Sequence, residues 1–261
     1  MSFPTSIICL TEETVETLYL LGKEDLILGV SEYMQRPAKA VGKHPVVSQF
    51  LRSNYDEIVA LRPDLVIGFS DVQKKVAHEL VARGVNVYIS NQRSIEEIFD
   101  QIIFLGKLVN KGSEALELVK TFRAKIQEIK NLVKNEKKVK VYFEEWDHPR
   151  LSAIRWVSEL IEICGGENSF SEKNGKSASE REVNDEEIIR KNPDVIIGCW
   201  CGKKVDIEKI KNRSGYSNIN AVRNDQVYEV DPAVFLQPGP ALFVDGLSQL
   251  IEIFNKMRSN S

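Results

Sequence analysis

Histidine, tryptophan and cysteine are scarce in this sequence, at three, three and four residues of 261. The histidines, His44, His78 and His148, are scattered, and none falls in a metal-ligand spacing. Cys9, Cys164, Cys199 and Cys201 are too few and too unevenly placed for a disulfide framework, which favours a reduced chain. No stretch approaches the roughly 20 apolar residues that span a bilayer, so no membrane insertion is expected. The opening MSFPTSIICL lacks the basic start, apolar core and small-residue cleavage site of a signal peptide. A cytoplasmic location is the expectation; a periplasmic or cell-surface one requires that a leader has been removed. Charge of one sign is also missing, with 35 basic against 38 acidic residues and a net charge of −3. With no long basic patch carrying interleaved aromatics, nucleic acid is excluded as a partner. The motifs G-x-x-x-x-G-K-S/T, G-x-S-x-G and H-E-x-x-H are absent, which removes the usual support for nucleotide hydrolysis, serine hydrolysis and zinc proteolysis.

What is present is alternation. Apolar, strand-like runs (SIICL, DLILGVS, LVIGFS, VNVYIS) are interleaved with amphipathic helical segments, the pattern of an α/β protein with parallel sheets. Thr11 to Gly22 reads as a helix capped by Thr11, and VQKKVAHELVARG as another that stops at Gly84. The second half repeats this grammar in KVKVYFEE, IRWVSELIEICGG and QVYEV. Pro63-Asp64-Leu65-Val66-Ile67-Gly68 aligns with Pro193-Asp194-Val195-Ile196-Ile197-Gly198, each behind a helical segment (YDEIVALR, NDEEIIRKN). Between the halves, Ser94 and Glu97 make a capping box ahead of apolar residues at 95, 98, 99, 102, 105 and 109. Asn110-Lys111-Gly112 breaks that helix, and a second runs from about Ser113 to Asn135. At about 1.5 Å per residue it is long enough to join two lobes. The expected organisation is an N-terminal α/β lobe at 1–110, a connecting helix at 111–136 and a C-terminal α/β lobe at 137–261.

Two small α/β lobes, each with a Pro-Asp-apolar-Gly strand, joined by one long helix resemble the helical-backbone (class III) substrate-binding proteins. The segments EEWDHPRLSAIRWVSELIEICGG, SNQRSIEEI and QPGPAL resemble the branch known as cobalamin-binding proteins. The resemblance covers roughly residues 5 to 257. It implies two similar parallel-sheet lobes with a ligand cleft between them, a non-catalytic role, and cobalamin or a related corrinoid as ligand rather than as resident cofactor. It also implies docking on an ABC permease through a surface glutamate of each lobe. In their place stand Asp71-Val72-Gln73-Lys74-Lys75 and Cys201-Gly202-Lys203-Lys204, whose lysines have the wrong sign, and this makes permease docking doubtful.

Ligands of open parallel sheets sit beyond the carboxyl ends of the strands. That rule selects Glu12, Tyr33, Ser70, Asp71, Gln92 and Arg93 in the first lobe, with Phe50 before a helical segment. In the second it selects Glu144, Glu145, Trp146, Trp200 and Gln237, with Arg155 following the acidic loop. Aromatic planes mixed with amides and charges suit a specific small-molecule pocket. Trp146 and Trp200 are read as stacking faces and Trp156 as core. An alternative reading makes Glu144 to Asp147 the acid/base loop of an enzyme acting on a small polar substrate; the bland one pairs one of these acids with Arg155 and leaves another solvated. A further alternative is an extracytoplasmic ABC-transporter component. No metal site is expected, although His148 could approach a cobalt or haem iron, and Cys199 and Cys201, sharing one face of an extended strand with Trp200 on the other, are read as pocket wall or sheet-end packing.

Overall fold

Parallel strands are covered on both faces, so they read as continuous apolar runs instead of alternating ones. The strands of this protein do so, and a computed structural model describing residues 3–259 shows them as two parallel sheets. Met1 and Ser2, part of the stretch read above for a leader, and the terminal Asn260 and Ser261 lie outside the described residues.

In the first half the chain runs β1 (Ile7–Cys9), α1 (Glu12–Leu20), β2 (Ile27–Ser31), β3 (Val46–Gln49), β4 (Arg52–Ser53), α2 (Tyr55–Ala60), β5 (Leu65–Phe69), α3 (Lys74–Ala82) and β6 (Val87–Ser90). Then come α4 (Ile95–Leu108) and α5 (Gly112–Val133). In the second half follow β7 (Val139–Glu144), β8 (Trp146–Asp147), β9 (Arg150–Leu151), α6 (Arg155–Ile163), β10 (Gly166–Asn168), α7 (Asp185–Lys191), β11 (Val195–Gly198), α8 (Ile207–Lys211), α9 (Asn220–Arg223), β12 (Val227–Glu229), α10 (Pro232–Phe235) and α11 (Leu247–Ser259). The first sheet has the order β4-β3-β2-β1-β5-β6 and is parallel except for the β3–β4 pair. The second, β10-β7-β11-β12, is parallel throughout, and β8–β9 form a separate hairpin.

The repeated Pro-Asp-apolar-Gly unit takes the same place in both sheets: β5 lies between β1 and β6, β11 between β7 and β12. Its aspartate closes the entry to the sheet. Asp64 accepts hydrogen bonds from the Thr5 amide at 2.7 Å and the Thr5 hydroxyl at 2.9 Å, and its own amide reaches the Ser6 carbonyl. These donors, the Thr5 amide first, hold its carboxyl below the usual range. Asp194 repeats the arrangement, accepting from the Lys140 amide at 3.1 Å while its own amide donates to the Lys140 carbonyl. The glycine at the far end is needed because the chain folds back over it. A Cβ at Gly68 would collide with the Gln73 carboxamide, and one at Gly198 would lie 2.6 Å from a Val205 methyl. Gln73, fully buried, uses that proximity to take the Phe69 amide and to donate to the Phe50 carbonyl, both at 2.9 Å.

The chain divides into two compact units, residues 1–92, 96–122 and 238–240 in one and 93–95, 123–237 and 241–261 in the other. The division falls inside α5, between Phe122 and Arg123, rather than at the ends of a separate connecting segment. Ala115, Val119 and Phe122 are buried within the first unit, Ile126 and Ile129 within the second. Nor is α5 the sole crossing, since residues 93–95 and 238–240 are each counted with the opposite unit from their neighbours. Their partners explain this: Ile95 donates its amide to Glu159 at 2.7 Å, and the Pro238 carbonyl accepts from the Gln92 carboxamide at 3.1 Å.

Local differences from the sequence reading have local causes. Thr11 stands at the N-cap of α1, but its hydroxyl goes to the Glu13 carboxylate at 2.6 Å and not to a helix amide, because that buried carboxylate needs a donor. The β3–β4 and β8–β9 pairs and β10 have two to four residues per strand, too few to show a period.

Substituting Gly198→Ala is expected to lower stability by about 1–3 kcal/mol through overpacking. Adding Val205→Ala should recover part of that loss; urea denaturation of the native chain and the two variants checks it.

Candidate ligand-binding site

Each unit carries a rim at the carboxyl ends of its own strands. In the first, the rim begins where β1 runs into α1. Glu12, Glu13 and Glu16 are all buried there. Glu12 accepts the Gln35 amide at 2.5 Å, and Glu16 pairs with Arg36 at 2.9 Å, so two acids hold the loop that follows β2. That loop presents Tyr33, 56% exposed, as an aromatic face at the rim. Burial pushes the carboxyls of Glu12 and Glu13 up to about 7; the Gln35 and Arg36 amides oppose the shift at Glu12, and the Thr11 hydroxyl opposes it at Glu13. Of the other candidates, Ser70 is buried at the end of β5 and accepts the Val72 amide, Asp71 beside it is exposed, and Phe50 is half-buried. Gln92 is buried after β6. Arg93 and Gln237 are half-buried and belong to the second unit.

The second rim is built around Glu144, whose side chain is wholly buried at the end of β7. Arg213 grips it with both terminal guanidinium nitrogens, Nη2 at 2.8 Å. The Trp200 indole donates to it at 3.1 Å and the Tyr142 hydroxyl at 3.0 Å. Burial first, then the Glu144 charge, drives the Tyr142 hydroxyl well above its ordinary range. Glu145 is held in the same two-pronged manner by Arg181, which is buried and also donates to the Ser152 carbonyl. Asp147, the third acid, takes Lys203 at 2.6 Å and Lys209 at 3.0 Å. Burial alone would raise its carboxyl, but the two ammoniums outweigh that and bring it to about 2.

The acidic loop is therefore paired throughout, and with cations that its own stretch of sequence does not contain. Arg155, read as a ligand-binding residue and in the bland alternative as the partner of one of these acids, makes an i,i+4 bridge to Glu159 at 2.9 Å. Arg181, Lys203, Lys209 and Arg213 lie 36 to 69 residues away from the acids they bind, so no local pattern points to them. Their cationic character was the one available signal. Trp200, read as a stacking face, is only 2% exposed; its ring lies in an apolar cluster with Tyr142, Phe170 and Tyr216. Trp146 is half-buried, with its indole nitrogen bonded to the His148 carbonyl. Trp156 is core, and its indole donates to the Phe235 carbonyl. Because β11 ends at Gly198, the strand alternation expected through Cys199-Trp200-Cys201 stops: Cys199 and Trp200 are both buried, and Cys201 is exposed. Burial raises both thiols, with the Glu145 charge adding to it. Among the described residues no group of three or more His, Cys, Asp or Glu could hold a metal ion, and no helix is long and apolar enough to cross a membrane.

Two parallel sheets with their polar groups gathered at the strand ends, and a helical backbone between them in sequence, define a solute-binding class. The chain belongs to the periplasmic binding protein family, whose pattern matches residues 7–234. It is 28% identical to an uncharacterized ABC transporter substrate-binding lipoprotein, YvrC, of Bacillus subtilis, over 95% of this chain and 79% of that one. It is 29% identical to the vitamin B12-binding protein of Vibrio campbellii, over 81% and 80% of the two chains. Among solved structures, a possible iron-binding (periplasmic solute-binding) protein of Staphylococcus epidermidis is 30% identical, covers 97% of this chain and 99% of its own, and superposes with a TM-score of 0.82.

Replacing Arg213 with Met should cost about 3–5 kcal/mol, because it strands a buried carboxylate. Combining it with Glu144→Gln should cost clearly less than the sum, as chemical denaturation of the cycle would show. The raised carboxyls set a pH dependence of the opposite sign from ordinary ion pairs. Between about pH 4.5 and 7 the folded chain binds more protons at Glu12 and Glu13 than the unfolded one does. Their contribution is complete below the unfolded value and is lost as pH rises through 7. Glu13→Gln should flatten that decline by on the order of 1 kcal/mol, read from stability curves at pH 5 and 8.

Proposed function

We propose that this protein is the substrate-binding component of an ABC importer, working on the outer side of the membrane and carrying a corrinoid of the cobalamin type. The observation that carries the non-catalytic part is the complete pairing of Glu144, Glu145 and Asp147 with Arg213, Arg181, Lys203 and Lys209. A general acid or base needs a carboxyl that can exchange a proton at working pH. Asp147, held at about 2 by two ammoniums, is poor at that, and the arginine forks on Glu144 and Glu145 occupy both oxygens of each carboxylate and fix the surface.

Family membership and the names of the relatives support the importer reading over a cytosolic carrier. The vitamin B12-binding relative supports the corrinoid, and an exposed Tyr33 supplies a flat apolar face suited to such a ligand. For docking on a permease, Lys203 is held against Asp147 and the rings of Trp146 and Trp200. Asp71 stands exposed at the corresponding place of the first unit.

Titration with cyanocobalamin, followed by tryptophan fluorescence, tests the ligand. Saturable binding at roughly micromolar concentration or below is expected, weakened several-fold by Tyr33→Ala. No binding at about 100 μM would retire the corrinoid and leave the importer class standing.

A further inference from the structure

Where the sequence suggested that two tryptophans offer open stacking faces, the structure places an ammonium on them. Lys203 Nζ lies 4.3 Å from the centre of the Trp146 ring and 4.8 Å from that of Trp200. Its third contact is Asp147 Oδ1 at 2.6 Å. All three partners are themselves fixed: Trp146 through the His148 carbonyl, Trp200 through Glu144, and Asp147 through Lys209. Gly202, with φ +74°, makes the turn that brings Lys203 back over the rings. The side chain is nevertheless 41% exposed.

The charge count at this point is uneven. Lys203 and Lys209 share one carboxylate, so one positive charge has no counter-ion among the groups that touch them. Glu144 and Glu145 are matched by Arg213 and Arg181. The nearby acids Asp206 and Glu229 accept the backbone amides of Lys209 and Val205, not the Lys203 ammonium. A lysine normally loses much side-chain entropy when it engages a ligand. Here the rings and Asp147 have already fixed the ammonium, so an incoming anion meets a preorganised donor.

We infer that Lys203 is an anion-recognition point on the rim of the second unit, taking a carboxylate or phosphate group of the bound ligand. The inference rests on the binding-protein reading and narrows it: the favoured ligand bears a negative group, and a neutral flat ring system alone fills the site less well.

The first experiment follows the side-chain NMR signals of Lys203 in the full chain during titration with inorganic phosphate. The expected result is a shift that saturates at roughly millimolar phosphate, while the signal of exposed Lys75 moves only linearly. A Lys203 signal that behaves like that of Lys75 overturns the inference. The second compares the native chain, Lys203→Met and Lys203→Arg with three probes, checking first that melting temperatures agree. Cyanocobalamin brings a phosphodiester, ferric citrate brings carboxylates, and dicyanocobinamide keeps the corrin ring without the phosphodiester. Lys203→Met should weaken the anionic probe that the native chain binds by about tenfold and leave dicyanocobinamide within about twofold, with Lys203→Arg largely restoring affinity. Equal affinities of the native chain and Lys203→Met for that anionic probe overturn the inference while leaving the importer reading intact. A native chain that binds none of the three removes the corrinoid reading instead, and the phosphate titration then decides the role of Lys203.

Discussion

The second half of the molecule depends on one buried charge. A carboxylate without solvent is strongly unfavourable unless donors replace its water, and Glu144 has been given an arginine fork, an indole N–H and a phenolic O–H. Each of those donors comes from a different place: Tyr142 from β7 itself, Trp200 from just past β11, and Arg213 from beyond α8. Satisfying Glu144 therefore ties the ends of two strands to a distant loop. Trp200 becomes a structural ring, and its position then determines where Lys203 can rest.

The two rims solve the problem of buried acids differently. The second answers each acid of the Glu144 to Asp147 loop with a cation, and the two ammoniums on Asp147 bring its carboxyl down to about 2. The first buries three glutamates at the head of α1, gives Glu16 an arginine, and leaves Glu12 and Glu13 chiefly with neutral donors. Their proton affinity rises accordingly, to about 7. One rim is ionically set, and the other is sensitive to pH near neutrality.

Much of the fold was legible because its signals are local. The Pro-Asp-apolar-Gly unit could be seen twice in the sequence, and its structural meaning is chemical: an aspartate that closes onto the neighbouring strand, and a glycine that lets the chain return. The long helical zone was visible from its apolar spacing. The boundary inside α5 was not, because a helix that is apolar along one face gives no mark where its burial passes from one unit to the other. The site was half legible. Strand ends place Glu12, Tyr33, Ser70, Glu144, Glu145, Trp146 and Trp200 at the rims, but long-range pairing decides what Glu144 and Glu145 are free to do. Arg155 next to the acids turned inward to its own helix, whereas Arg213, 69 residues from Glu144, became its partner.

The central claim is that the acids of this loop are structural and that recognition falls to the groups they hold in place. A crystal structure of the chain with cyanocobalamin bound tests it most directly. Glu144 and Glu145 should remain on Arg213 and Arg181, with the ligand meeting the second rim through Lys203. A structure in which either glutamate has left its arginine to touch the ligand would contradict it.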